Sequence, residues 1–230
     1  MIKMNLQLFG GRGTGSYSGN ARAVSLLGAM GVMVSRDLDV AGWTPQAGKR
    51  EVSGVVTLSS AEKRIQDLDH EQLVVVGKDG YVMAVVDGGE HSVGLTSKAY
   101  NAIKAGGIAT HNHPNGGTFS PADVITAGSM GTTEIRAVSK RFKTTYSLKA
   151  GNKANGSGLA SQMRKDADSI EKAWDNQILQ INKRKYMNQK NYERAVYEAY
   201  NSVMGQWFRN NASKYGYTYS ATKGGVTKYA

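Results

Sequence analysis

The sequence predicts an α/β fold of the α+β kind: a mixed β-sheet flanked by helices, with a helical extension at its C-terminal side. Three observations predict it. Between residues 51 and 150, short apolar runs of strand length, such as Leu73–Val76 and Gly107–His111, are interleaved with helix-like segments. Lys78-Asp79-Gly80 lies between two of those runs and reads as a hairpin turn, so part of the sheet is antiparallel. From about Leu159 the apolar spacing changes to every three or four residues, the period of a helix.

The expected organisation has five parts. Residues 1–50 are a flexible N-terminal arm with a short helix at Ala21–Val34, where glycines weaken the helix, and Leu6, Leu8 and Phe9 form a docking tip. Residues 51–150 are the main domain. It opens with a strand at Val52–Leu58, then a helix to about Leu68 with Ser59 as its cap and Glu62 completing a capping box. Strands follow at Glu71–Gly77 and Tyr81–Val86, and a third at Ser92–Leu95. A helix over Ser97–Ala105 turns Ala99, Tyr100 and Ile103 inward. Gly107–His111 is a short strand, Pro121–Met130 a helix with proline in its first turn, and Ile135–Val138 and Thr144–Leu148 are two more strands. Residues 151–158 are a linker by composition. Residues 159–214 are a basic extension of two helices, broken near Met187–Lys190, whose Trp174 and Trp207 stripes are packing surface. Residues 215–230 are a loose tail.

The formal net charge of +11 is uneven: residues 1–150 hold 16 Lys and Arg against 12 Asp and Glu, and residues 151–230 hold 13 against 6. That balance favours anionic partners, nucleic acid or acidic protein surfaces. Arg136, Lys140, Arg141 and Lys143 make a basic run that is either a solvated face or a nucleic-acid or partner contact. With no cysteine, disulfides and thiolate metal sites are excluded, which fits a cytoplasmic protein. No run of 18 apolar residues exists, so no membrane-spanning helix is expected.

The most informative stretch is Thr110 to Asp123. His111 and His113 sit at a strand end two residues apart, so their side chains point to the same side. Pro114 ends the strand, and Gly116-Gly117 lets the chain turn back. Asp123 then falls in the first turn of the next helix and can reach the same point as the imidazoles. Two imidazoles and a carboxylate make a three-ligand site of the kind that holds a catalytic zinc with one position open, and these donors suit zinc better than calcium. The alternative is a turn whose histidines cap backbone groups. Water activated at such an ion needs a base, and the motif has no free acid. Glu71, heading a buried strand, is the best candidate; Glu62, Asp67, Asp69 and Glu90 are weaker ones, and a solvent-facing Glu71 is the bland alternative. Ser120 can stabilise an oxyanion or cap the helix at Pro121, or do both. His70 and His91 read as surface residues.

His111-Asn112-His113-Pro114-Asn115-Gly116 followed by Ser120-Pro121-Ala122-Asp123 resembles the motif of the JAMM family (also called MPN or JAB-like) of zinc metalloproteases: a distant Glu, His-x-His-Pro, then Ser-x-x-Asp. It looks most like the RadC-type and phage-associated branches, where Asn commonly stands between the histidines. The resemblance covers roughly Val52 to Ala150 and implies the JAMM/MPN (cytidine-deaminase-like) fold. It also implies one zinc ion on His111, His113 and Asp123, Ser120 at the oxyanion, and Glu71 as the general acid/base. Family members include isopeptidases, deubiquitinases and proteases of ubiquitin-like tags, so the implied substrate is a peptide or an isopeptide-linked protein. One departure is visible: six residues, Pro114 to Phe119, separate the second histidine from the serine, where the family has seven. Separately, Met4–Gly10 resembles the N-termini of capsid and head-morphogenesis proteins of phages of Gram-positive bacteria. This implies a phage or prophage protein, in the host cytoplasm or the virion, with phage head proteins as partners. Two functions are expected in competition: a zinc metallopeptidase, and a weakly active or inactive head-associated or nucleic-acid-binding protein with the same fold.

Overall fold

The computed structural model describes residues 35–40, 58–90, 92–182, 188–223 and 226–229. The expected arm, the helix at Ala21–Val34, the docking tip, His91 and all of the strand at Val52–Leu58 except its last residue lie outside them.

Among the described residues, eight strands form one sheet in the order β1-β3-β2-β4-β5-β6-β7-β8. They are β1 (Arg36–Asp37), β2 (Gln72–Val76), β3 (Val82–Asp87), β4 (Ile108–Asn112), β5 (Glu134–Ser139), β6 (Thr144–Ala150), β7 (Tyr217–Lys223) and β8 (Val226–Tyr229). Only β4 and β5 run parallel; every other neighbouring pair is antiparallel. The mixed sheet expected from the sequence is therefore present. Five α-helices among the described residues accompany it: α1 (Leu58–Ile65), α2 (Ser97–Lys104), α3 (Pro121–Met130), α4 (Gly156–Asn182) and α5 (Gln189–Asn211).

The sheet is covered on both faces, which is why Val74, Val75 and Val76 are all buried although successive side chains point opposite ways. On one face Leu73, Val75, Ala109, Ala137 and Leu148 share a core with residues of α2, α3, α4 and α5. On the other, Val74, Val76, Val85 and Val138 pack against Ala61 and Ile65 of α1. A smaller cluster, Trp174, Ile181, Val196 and Ala199, joins the outer parts of α4 and α5, with the Trp174 indole donating to the Val196 carbonyl. Helix α3 lies so close to α4 that a Cβ on Gly128 would sit 2.5 Å from the Gly156 carbonyl oxygen.

The structure corrects several expectations. The tail is not loose: β7 pairs with β6 along its whole length, and Tyr217 and Tyr219 are buried in the main core. Tyrosines alternating with small polar residues are a strand pattern once a partner edge exists, and β6 provides it. The 151–158 segment is tied down rather than a free linker. Gly151 and Asn155 donate backbone bonds to Gly216 and Tyr215, and α4 already begins at Gly156. The helical extension is likewise continuous with the sheet, because Leu159, Met163, Met204 and Phe208 belong to its core. Ser92–Leu95 forms a single bridge to Gly89, not a strand. Tyr100 is exposed, at 40%. Helix α1 starts at Leu58, so Ser59 is inside it, and Glu62 faces the sheet instead of capping. Helix α5 starts behind Asn188 as its cap, inside the stretch Met187–Lys190 where a break is expected.

Candidate metal centre

Strand β4 presents His111 at its buried end, paired to Leu73 of β2 on one side and Ala137 of β5 on the other. His113 lies just beyond, held by its own N–H on the Val138 carbonyl at 2.9 Å. A turn follows, closed by the Gly116 N–H on the His113 carbonyl at 3.0 Å. Gly116 has φ 95°, a conformation that favours glycine. Ser120 then caps α3. Its hydroxyl accepts from the Asp123 N–H, and Asp123 returns a carboxylate oxygen to the Ser120 N–H at 2.7 Å, a complete capping box with Pro121 in the first turn.

This local chemistry brings His111, His113 and Asp123 together. The two Nε2 atoms are 2.9 Å apart, and Asp123 Oδ1 and Oδ2 stand 3.6 Å from His111 Nε2 and 3.7 Å from His113 Nε2. Ligands about 2.0–2.1 Å from a tetrahedral zinc would be roughly 3.3 Å apart, and the observed spacings bracket that value. The donor set also fits. His113 Nδ1 donates to the Gly117 carbonyl at 2.9 Å, so in the neutral ring the lone pair is on Nε2, facing His111. A nitrogen lone pair 2.9 Å from a second imidazole nitrogen requires a proton or a cation between them. The three residues can thus hold one metal ion. Burial works against the Asp123 carboxylate, but the electrostatic influence of His111 and His113, a hydrogen bond to His111 and the Ser120 N–H outweigh it and hold its pKa well below the usual range.

Glu71 lies one residue before β2. The β2–β4 pairing ends at Leu73 and His111, and Glu71, two residues earlier, is close enough to His113 and Asp123 for both to act on its carboxyl. It is buried, at 6% exposure. Burial pushes its carboxyl up to about 7, Asp123 adds to that, and His113 and the Val93 N–H oppose it. The other acids considered from sequence are elsewhere. Glu62 is bound to Arg136, Asp67 faces Lys140 in solvent, Asp69 contacts His70 at the surface, and Glu90 is in an exposed turn. Ser120 Oγ accepts from the Asp123 N–H and sits 2.8 Å from Asp123 Oδ2, so the helix cap is the role its geometry displays.

Three residues of the site escape sequence reasoning. Asn112, fully buried between the two histidines, spans the strand gap: its Nδ2 donates to the His70 carbonyl and its Oδ1 accepts from the Gln72 N–H, both at 2.7 Å. It therefore brackets Glu71. Its place in the motif is the only signal that marked it. Tyr200 and Asn201 of α5 grip the motif loop, Tyr200 by its hydroxyl on the Phe119 carbonyl and Asn201 by its amide on Gly116 and Thr118. Nothing in the sequence announces these contacts, which join positions more than 80 residues apart. His70, expected at the surface, is half-buried and bonded to Asp69 and Asp87.

The basic run is spoken for. Arg136 is clamped by Glu62 and Glu134 beneath the sheet, Lys140 faces Asp67, and Arg141 faces Glu193 and the Tyr197 ring. Lys143 is exposed at the β5–β6 turn. Three of the four cations thus face acids of this chain. No helix among the described residues is long and apolar enough to cross a membrane. No family model matches the chain, and comparisons with curated proteins and with solved structures find no match either.

Proposed function

We propose that this protein is a zinc-dependent metallohydrolase of JAMM type, a peptidase or isopeptidase. One observation carries the reading: His111, His113 and Asp123 converge within ligand distance of one another on a β-strand end and the following helix, beside a buried carboxylate, Glu71. A zinc ion in that place supplies Lewis acidity, which brings the ionisation of water towards neutral pH and polarises a carbonyl. The chain's own residues do the rest. His111 and His113 offer neutral imidazole nitrogens, with the Gly117 carbonyl keeping the second in the required tautomer. Asp123 offers a carboxylate kept ionised by its neighbours. Glu71, poised near neutrality, takes a proton from water and gives it to the leaving amine, a task that works best when the group's pKa lies near the working pH. The order Glu71, His111-x-His113-Pro114, Ser120-x-x-Asp123 is the support for JAMM in particular, and the covered mixed sheet is compatible with it. A phage or prophage origin, and a place in the host cytoplasm or the virion, rest on the resemblance of Met4–Gly10 alone.

The test is metal content followed by hydrolysis. Protein purified without chelators should hold about one zinc per chain, and His113→Ala should lose it. Peptide or isopeptide cleavage should disappear in Glu71→Gln while zinc stays bound. A wild-type protein that takes up no zinc even when it is offered sinks the reading.

A further inference from the structure

Asn201 lies on α5, 83 residues from Thr118 in sequence, yet both ends of its amide are used on the motif loop. Its Oδ1 accepts from the Thr118 N–H at 2.6 Å, and its Nδ2 donates to the Gly116 carbonyl at 3.3 Å. The partners settle the amide's orientation, since an N–H needs the oxygen and a carbonyl needs the NH2. These two backbone groups flank Gly117, and the Gly117 carbonyl is the acceptor for His113 Nδ1. The same helix holds the loop a second time, two residues on, through the Tyr200 hydroxyl on Phe119.

We propose that Asn201 is a positioning residue of the metal centre, acting through Gly117 to set the tautomer and ring orientation of His113. The proposal rests on the metal reading above and deepens it: the C-terminal helix becomes part of the site rather than an appendage. The physical need is plain. The span from Pro114 to Phe119 contains Gly116 and Gly117, two residues with the widest backbone freedom, between two ligands that must stay in register. Without the amide, the Gly117 peptide can rotate, and His113 loses the acceptor that keeps Nδ1 protonated. Carbonyl or carboxylate partners of metal-bound histidines commonly govern metal affinity by 10–100-fold. Here the partner is itself held by a side chain from another element.

The experiment compares wild type with Asn201→Ala, Asn201→Asp and the control Ser202→Ala. Zinc affinity is read by competition with a chromogenic chelator, and the His113 ring is read by 15N NMR in metal-free protein. The expected result is a loss of zinc affinity of roughly 10–100-fold in Asn201→Ala, with the His113 nitrogens departing from the Nδ1–H pattern and Ser202→Ala unchanged. Asn201→Asp keeps the bond to Thr118 but sets a carboxylate against the Gly116 carbonyl, and should fall between wild type and alanine. If the alanine variant does not fold, the aspartate variant carries the same comparison. A folded variant with wild-type zinc affinity and an unchanged His113 tautomer overturns the proposal, even if its melting temperature drops. A wild-type protein that binds no zinc, but whose His113 tautomer still shifts in Asn201→Ala, removes the metal reading and leaves the positioning role standing.

Discussion

The Nε2 atoms of His111 and His113 lie 2.9 Å apart, and in the neutral ring the second of them carries the lone pair because Nδ1 faces the Gly117 carbonyl. Two such nitrogens are held that close only at a cost unless a cation or a proton sits between them. Zinc should therefore stabilise the folded protein. At a free concentration 100 times its dissociation constant the gain is about 2.7 kcal/mol, or roughly 5–10 °C in melting temperature for a chain of this size. Differential scanning calorimetry with and without zinc checks it. The gain should vanish in His113→Ala. It should also weaken as pH falls, because protons compete with the metal for its ligands.

Glu71 makes the metal-free protein pH-sensitive in a definite direction. Its folded-state pKa of about 7 lies above the ordinary 4.5, so the folded chain binds an extra proton between those values. Its contribution is complete below pH 4.5 and is lost as pH rises to about 7. Glu71→Gln stays neutral throughout. The stability of the variant relative to wild type should increase across that window, by up to about 3 kcal/mol above pH 7. Urea unfolding of both metal-free proteins at several pH values tests this; a difference that stays flat with pH contradicts it.

Asn112→Ala should separate binding from chemistry. The substitution removes both bonds that bracket Glu71 but touches neither imidazole. We expect a destabilisation of about 1–3 kcal/mol from the unpaired Gln72 N–H and His70 carbonyl. Zinc should remain near one per chain, while hydrolysis falls with the displaced Glu71. Elemental analysis beside a rate assay distinguishes this from simple loss of the metal.

Arg136 binds Glu62 and Glu134 at once, and Glu134 also accepts from the Ser147 hydroxyl. Arg136→Met would leave two carboxylates facing each other with little water. The expected destabilisation is roughly 3–5 kcal/mol, and the triple change that also makes Glu62 and Glu134 neutral should recover much of it. Chemical denaturation of the three proteins gives the answer.

Tyr219 stacks on Phe208 with ring centroids 4.2 Å apart, and Phe208 in turn meets Phe119 of the motif loop edge-on at 6.0 Å. Tyr219→Ala should cost about 3 kcal/mol by opening a cavity in the core. It should also loosen the loop, because the Tyr219 hydroxyl is within 3.2 Å of Thr118 Oγ1. Faster amide hydrogen exchange at residues 116–119 than at β2 is the expected signature.

Much of the central sheet was legible because its signals are local. Val74, Val75 and Val76 bracketed by turn residues read as a buried strand, and Ser120-Pro121-x-Asp123 carries its own helix start. The ligand set was legible for the same reason: alternation in a strand and one helical turn are enough to aim His111, His113 and Asp123 at one point. Glu71 was legible as an acid heading an apolar strand, and the family's order of residues points to it as well. Its burial and its nearness to His113 and Asp123 come from the tertiary structure.

What the sequence by itself determined is the short-range half of this protein: strand, turn, cap and three convergent donors, each specified by neighbours within a few positions. The tertiary structure alone decided the rest. Tyrosines 217 and 219 look like a loose tail until β6 offers an edge with unpaired N–H and carbonyl groups. Glu62 looks like a cap until Arg136 is brought opposite it. Asn201 looks like one more polar residue on a helix until packing sets it against Gly116 and Thr118. In each case the deciding partner lies more than 60 residues away. Periodicity reports which face of an element is apolar, but not which distant backbone group or charge will meet it once that face is buried.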